Sequence, residues 1–252
     1  MNKRKLAALI LAAVMGCGIF TGCSKKIAVD NDAETETTRV NPDSYQDVVM
    51  GDIESAEKST EPLTYSDIGD FVTPAAEDLD GDLGSYREAA DGVKLYFNDD
   101  EFPKELMLTL DQYFTSFAEN DYTMYTRCVY PDYLDKMGEY LEKEYQYDMK
   151  KSFATQCTNL ATTANGPFKV TRIKMDVPKQ YVEGEDNLEA YFKNFTDILG
   201  EGYYEQLTKD ADKIYDGEFY LMAEDRMGNE QVLISAYEII CVEKDGRYYV
   251  FG

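Results

Sequence analysis

"QVLISAYEIICVEKDGRYYVF", Gln231 to Phe251, is the stretch on which the fold turns. Gln231 to Glu243 carries apolar residues at both odd and even positions. A central strand covered on both sides reads this way. Lys244-Asp245-Gly246 then supplies a hairpin turn, and Arg247 to Phe251 returns as a last, aromatic strand. Upstream, "DGEFYLMAEDR", Asp216 to Arg226, is a strand that runs into the turn "MGNE", Met227 to Glu230. The chain therefore closes on three antiparallel strands.

Working back from these strands, the period changes. "DNLEAYFKNFTDILG", Asp186 to Gly200, has helical spacing through Leu188, Tyr191, Phe192, Phe195 and Leu199. Asp186 is placed to cap it with Glu189 three residues on, and Gly200 ends it. Tyr203 to Asp212 adds a further helical stretch. "FKVTRIKMDV", Phe168 to Val177, alternates, with Ile173, Met175 and Val177 on one side and Arg172, Lys174 and Asp176 on the other. Asn165-Gly166-Pro167 separates it from a helical half. There, "FPKELMLTLDQYFTSFAEN", Phe102 to Asn120, forms an apolar face from Leu106, Leu110, Tyr113, Phe114 and Phe117. Pro103 suits a first turn. Pro131 breaks Asp121 to Met137 into a short helix and a new start. Gly138 to Ala164 reads as helix, with Tyr140, Leu141, Tyr145 and Phe153 available for packing. Helices, a strand, a helix and three strands predict an α+β domain over 93–252. Its curved antiparallel sheet has helices packed on one face.

At this point the domain resembles the cone-shaped nuclear-transport-factor fold. "LDQYFTSFAENDYTMYTRCVYPDYL", Leu110 to Leu134, is similar to that family's first helix, its aspartate-containing turn and its second helix. "EIICVEKDGRYYVFG", Glu238 to Gly252, is similar to the closing hairpin of its lipoprotein members. The resemblance covers about residues 101–252. It implies a cavity in the cone, and in some members dimerisation through the exposed sheet. Enzymes of this fold place Asp, Tyr and His at the cone's floor. This chain has no His, and no catalytic residue carries over.

The other end of the chain speaks to location. Lys3-Arg4-Lys5 precedes "LAALILAAVMGCGIF", Leu6 to Phe20, a run without charge. At 1.5 Å per residue it spans roughly 22 Å, short of a hydrocarbon core of about 30 Å. That is an export signal rather than a permanent span. Phe20-Thr21-Gly22-Cys23 resembles the lipobox of bacterial lipoproteins. The resemblance implies a signal peptide over 1–22, a diacylglycerol thioether on Cys23, and a mature chain held on the outer side of the cell membrane. Val14-Met15-Gly16-Cys17 is a competing lipobox, but Met15 is large for its place. Two acyl chains anchor stably where one does not.

Residues 23–92 read as an acidic, flexible tether. Ser24 to Asp100 holds 6 basic and 20 acidic residues, too polar to offset the entropy of ordering. Leu63 to Val72 is the part able to dock as an arm. Glu77 to Glu88, "EDLDGDLGSYRE", fails as an EF-hand. With Asp78, Asp80 and Asp82 at positions 1, 3 and 5, the glycine comes late, at Gly84, and Ala89 stands where a bidentate Glu is needed.

Composition narrows function. The full chain carries −24, and removing the leader's three cations makes it −27. Such a chain lacks the cation clusters that nucleic acid demands and is repelled by anionic lipid. The absence of His excludes Ser-His-Asp and Cys-His catalysis and the commonest zinc ligand. Cys128, Cys157 and Cys241 remain after Cys23; a disulfide and three small buried hydrophobes are both open. No cofactor or metal site is expected. The expected function is a non-catalytic ligand-binding or protein-interaction module. The alternatives are an isomerase- or hydrolase-type enzyme with a Tyr–carboxylate pair in the cone, and a dimeric assembly protein of the envelope.

Overall fold

The computed structural model describes residues 57–66, 68–75, 83–178 and 187–251. They form an α+β domain around one sheet, ordered β1-β2-β3-β4-β5-β6 and curled into a half-barrel. The strands are β1 (Arg87–Glu88), β2 (Lys94–Tyr96), β3 (Phe168–Asp176), β4 (Lys213–Asp225), β5 (Glu230–Lys244) and β6 (Arg247–Phe251). The helices are α1 (Lys104–Glu119), α2 (Tyr122–Cys128), α3 (Pro131–Tyr145), α4 (Met149–Thr163), α5 (Asn187–Asn194), α6 (Thr196–Leu199) and α7 (Tyr203–Asp210).

The closing strands form as their pattern predicts. Lys244 pairs with Arg247 across a two-residue loop, where Asp245 and Gly246 have φ of 54° and 68°. Two positive φ values make a turn whose twist matches the strands it joins, and Asp-Gly tolerates them. Along β4, Tyr215, Gly217, Phe219, Leu221 and Ala223 are buried and alternate with half-buried neighbours up to Met222. The β4–β5 register skips twice, from Phe219↔Tyr237 to Leu221↔Ile234, then to Met222↔Val232. Each skip leaves an extra residue on β5, and Ala236 lies in the first with φ of 54°. Bulges bend and twist a strand, so this is where the long hairpin curls. A further shift, between Val170 and Arg172, bends β3.

Helix ends are set locally. Asp121 accepts a hydrogen bond from the Met124 amide at 2.9 Å, capping α2. Asp148 does the same for Lys151 at 2.8 Å, capping α4. The helix expected over 138–164 is therefore two helices. Gln146 takes a left-handed φ of 55° and stops α3, and Asp148 restarts the chain. Asp186, expected to cap the helix after β3, lies outside the described residues.

Two sheet expectations are corrected. The sheet is mixed, because β2 pairs parallel with β3. The extra strands β1 and β2 come from a stretch that composition had marked as tether and domain edge. Helices also cover both faces at the β5–β6 end. Ile239 to Val242 are all buried, so neither face of β5 is open there. Phe219 meets Phe114 of α1 at 4.9 Å on one face. On the other, Phe251, register partner of Ile240, meets Tyr133 of α3, Phe192 of α5 and Tyr203 of α7 at 4.8–6.0 Å. A strand apolar on both sides needs two layers over it.

Residues 57–66 and 68–75 lie against the domain. Val72 bridges Tyr86 antiparallel, the Gly69 amide donates to the Glu88 carbonyl at 3.1 Å, and Phe71 sits under the Arg87 guanidinium at 4.0 Å. Of the stretch Leu63 to Val72, read from sequence as able to dock, Gly69, Phe71 and Val72 make these contacts. The rest of the tether before residue 57 lies outside the described residues.

One glycine is set by close packing. A Cβ at Gly217 would meet the Met175 side chain, with Cε at 2.0 Å, Sδ at 2.7 Å and Cγ at 3.3 Å. Met175 is itself buried. Gly217→Ala is expected to cost about 1–3 kcal/mol in urea unfolding as Met175 is displaced. A Met175→Leu change in the same chain should recover part of the loss. Additive effects of the two changes would show that this contact is not the cause.

Candidate functional site

The half-barrel's interior is where chemistry would sit. It is occupied by rings. Tyr113 of α1 packs on Phe117 at 5.0 Å and Tyr125 of α2 at 5.8 Å. Phe153 of α4 packs on Tyr125 at 4.8 Å, Phe117 at 5.1 Å and Tyr122 at 5.7 Å. Phe219 joins from β4 through Phe114 at 4.9 Å and Tyr237 at 5.8 Å. Edge-on and tilted packing of this kind fills space and adds modest attraction per pair. Burial holds the hydroxyls of Tyr113, Tyr125 and Tyr133 well above the usual phenol range, so they stay protonated.

The cysteines belong to the same packing. Cys128, Cys157 and Cys241 are free and buried. Burial raises all three thiols, Cys157 to about 12. They act as small hydrophobes, without the thiolate that nucleophilic chemistry needs. Of the two readings open from sequence, this is the one found.

One interior group stands apart. Asp111 of α1 is only 6% exposed, and its Oδ1 has no hydrogen-bond partner. Burial raises its carboxyl to about 7, the charge of Asp91 adds to the rise, and the Thr115 hydroxyl one turn on opposes it. A carboxyl poised near neutrality has the acidity of a general acid or base. Sequence reasoning did not single out Asp111. The available signal was its place directly after "LMLTL", where α1 is buried all round.

The surface offers clefts instead. One of about 730 Å³ opens between the β2–α1 connection and the end of β3. Tyr96, Phe97 and Val177 are among its apolar walls, and Asp99, Glu101 and Lys174 among its charged ones. Arg87 already holds Asp99 at 2.6 Å, and Lys174 holds Asp176 at 2.9 Å. Two smaller clefts, of about 280 and 340 Å³, flank β6 and share Pro131, Arg247 and Tyr249. Among the described residues no group of His, Cys, Asp and Glu has the geometry to hold a metal ion. Nor is any described helix long and apolar enough to cross a membrane. Cys23, the expected lipid attachment, lies outside the described residues, as does the first half of the acidic loop, 77–82.

Comparison of this chain with protein-family models, with curated proteins and with solved structures gives no match.

Proposed function

We propose that this chain is a lipoprotein tethered through Cys23 to the outer side of the cell membrane, carrying a nuclear-transport-factor-like domain that works by binding rather than by catalysis. The observation that supports the binding role is the ring-filled interior. Tyr113, Phe117, Tyr125, Phe153 and Phe219 occupy the space a substrate would need. A small-molecule site is usually a preformed concavity with a few polar groups converging on it. Three open concavities among the described residues are on the surface, between secondary-structure elements.

The anchor has its own test. Cells grown with an alkynyl fatty acid are expected to label the chain. Cys23→Ser should abolish the label and leave the leader uncleaved, while Cys17→Ser should change neither. Unlabelled wild type, or label lost only in Cys17→Ser, overturns the assignment. The binding role is tested by melting the full chain against polypeptides, wall glycans, lipids and small metabolites. One class is expected to raise Tm and to be recovered chemically unchanged. Conversion of any compound by the wild type, lost in Asp111→Asn, would replace this reading with the enzymatic one.

A further inference from the structure

Resting on that reading, we propose that the surface under residues 57–66 is a groove for an extended polypeptide segment of a partner, gripped through its main chain, and that the chain's own arm occupies it in the absence of that partner. The arm, Glu57 to Ser66, is held chiefly by its main chain. Thr123 Oγ1 donates to the Glu57 carbonyl at 3.3 Å, and the Ser59 amide donates to Thr126 Oγ1 at 2.9 Å. Arg127 Nε donates to the Glu61 carbonyl at 3.4 Å, and Gln112 Nε2 to the Thr64 carbonyl at 3.4 Å. Residues 57, 59 and 61 are read in alternation, the period of an extended strand. Four side chains of the domain thus grip main-chain groups that any extended segment presents. Recognition by main-chain hydrogen bonds gives affinity with loose sequence demands, and side-chain contacts add the preference.

The side-chain contacts carry both signs: Asp135 holds Lys58 of the arm at 2.5 Å. Arg127 Nη2 also meets Glu61 Oε2 at 3.4 Å. The cleft then continues past the arm. Arg247 and Tyr249 line both the part beside the arm and the further part beyond Pro131, and Arg247 is exposed at the join. Asp132, Lys244 and Asp245 also wall that further part, so a longer segment meets charges of both signs there. Such a segment would fill more of the groove than the arm does.

The arm is held loosely enough to exchange. Three of the four main-chain hydrogen bonds are 3.3–3.4 Å, long for their type. Its ion pairs, Lys58–Asp135 and Glu61–Arg127, are solvent-exposed, and such pairs contribute little. Tyr65 is the main fixed point, its hydroxyl lying 3.3 Å from Thr109 Oγ1 and accepting from the Tyr248 amide at 3.4 Å. What keeps the arm seated is its covalent tether, which gives it a millimolar-range effective concentration. A competing peptide in trans must exceed that.

The test uses the full chain and a fluorescent peptide with the sequence of residues 57–66, read by anisotropy. The wild type should bind it weakly. Lys58→Ala/Glu61→Ala/Tyr65→Ala, which loosens the resident arm and leaves the groove intact, should bind at least tenfold tighter. Adding Gln112→Ala and Arg127→Ala to that variant should return affinity to the wild-type level or below. A second variant, with residues 57–66 replaced by Gly-Ser repeats, keeps every groove residue and should match the loosened one. Circular dichroism and melting establish that each variant is folded. Equal affinity of wild type and both arm variants, or tight binding that survives loss of Gln112 and Arg127, overturns the groove. If no form binds the peptide while another class of ligand raises Tm, the groove is wrong and the binding role stands. If neither occurs, both fall.

Discussion

A chain carrying Phe153→Ala is expected to unfold with about 3–5 kcal/mol less free energy than the wild type, the largest single loss anticipated in this domain. Phe153 is 1% exposed and touches rings from three other helical positions, Phe117, Tyr122 and Tyr125. Truncation removes transfer free energy and leaves a hole, and rings anchored on α1 and α2 cannot close on it without moving whole helices. Urea unfolding measures the loss as a shift in midpoint at constant slope. Met227→Ala is the control. That side chain is 86% exposed, so its change should lie within about 0.5 kcal/mol of zero. A loss below about 1 kcal/mol at Phe153 would mean that the interior is not packed on it, and the ring-filled reading would go with it.

Asp111→Asn is expected to gain stability over the wild type as pH rises. Burial lifts the folded-state carboxyl to about 7 from its ordinary 3.8. The folded chain therefore holds this proton across the window from about 4 to about 7, where the unfolded chain has released it. Stability from this group is fully present below pH 4 and is lost as pH rises through the folded value. Between pH 5 and pH 8 the wild type should lose about 2–3 kcal/mol from this source alone. Asn has nearly the shape of the protonated acid and no charge to bury, so the variant should lack that loss. Other acids titrate in both chains, so the readout is the difference between the two stability–pH curves. Parallel curves would show that Asp111 ionises as an ordinary surface carboxylate does.

Much of this architecture was legible from local pattern. The run from Gln231 to Phe251, apolar on both faces and then turned by Asp-Gly, specified a covered strand and a tight hairpin. Both are local consequences of side-chain period and of φ > 0 at the turn. The break at Pro131 and the helical face of Leu106, Leu110, Tyr113, Phe114 and Phe117 follow from the same kind of rule. Phe153 could be marked as a packing residue from spacing alone. The candidate binding surface could not. The grip on Glu57, Ser59, Glu61 and Thr64 comes from residues 48 to 67 positions away. Main-chain recognition leaves almost no trace in the sequence being recognised.

The sequence by itself determined the kinds and order of the elements from α1 onward, the acidic balance, the absence of histidine chemistry and the position of the cysteine behind the leader, because each depends on residues adjacent in the chain. Only the tertiary structure decided that β2 joins β3 in parallel, that helices cover both sides of β5, that Asp111 is desolvated, and that rings fill the interior. Each of these is a meeting of distant residues. Burial and register are properties of the surroundings, and a residue's surroundings exist only once the chain has closed around it.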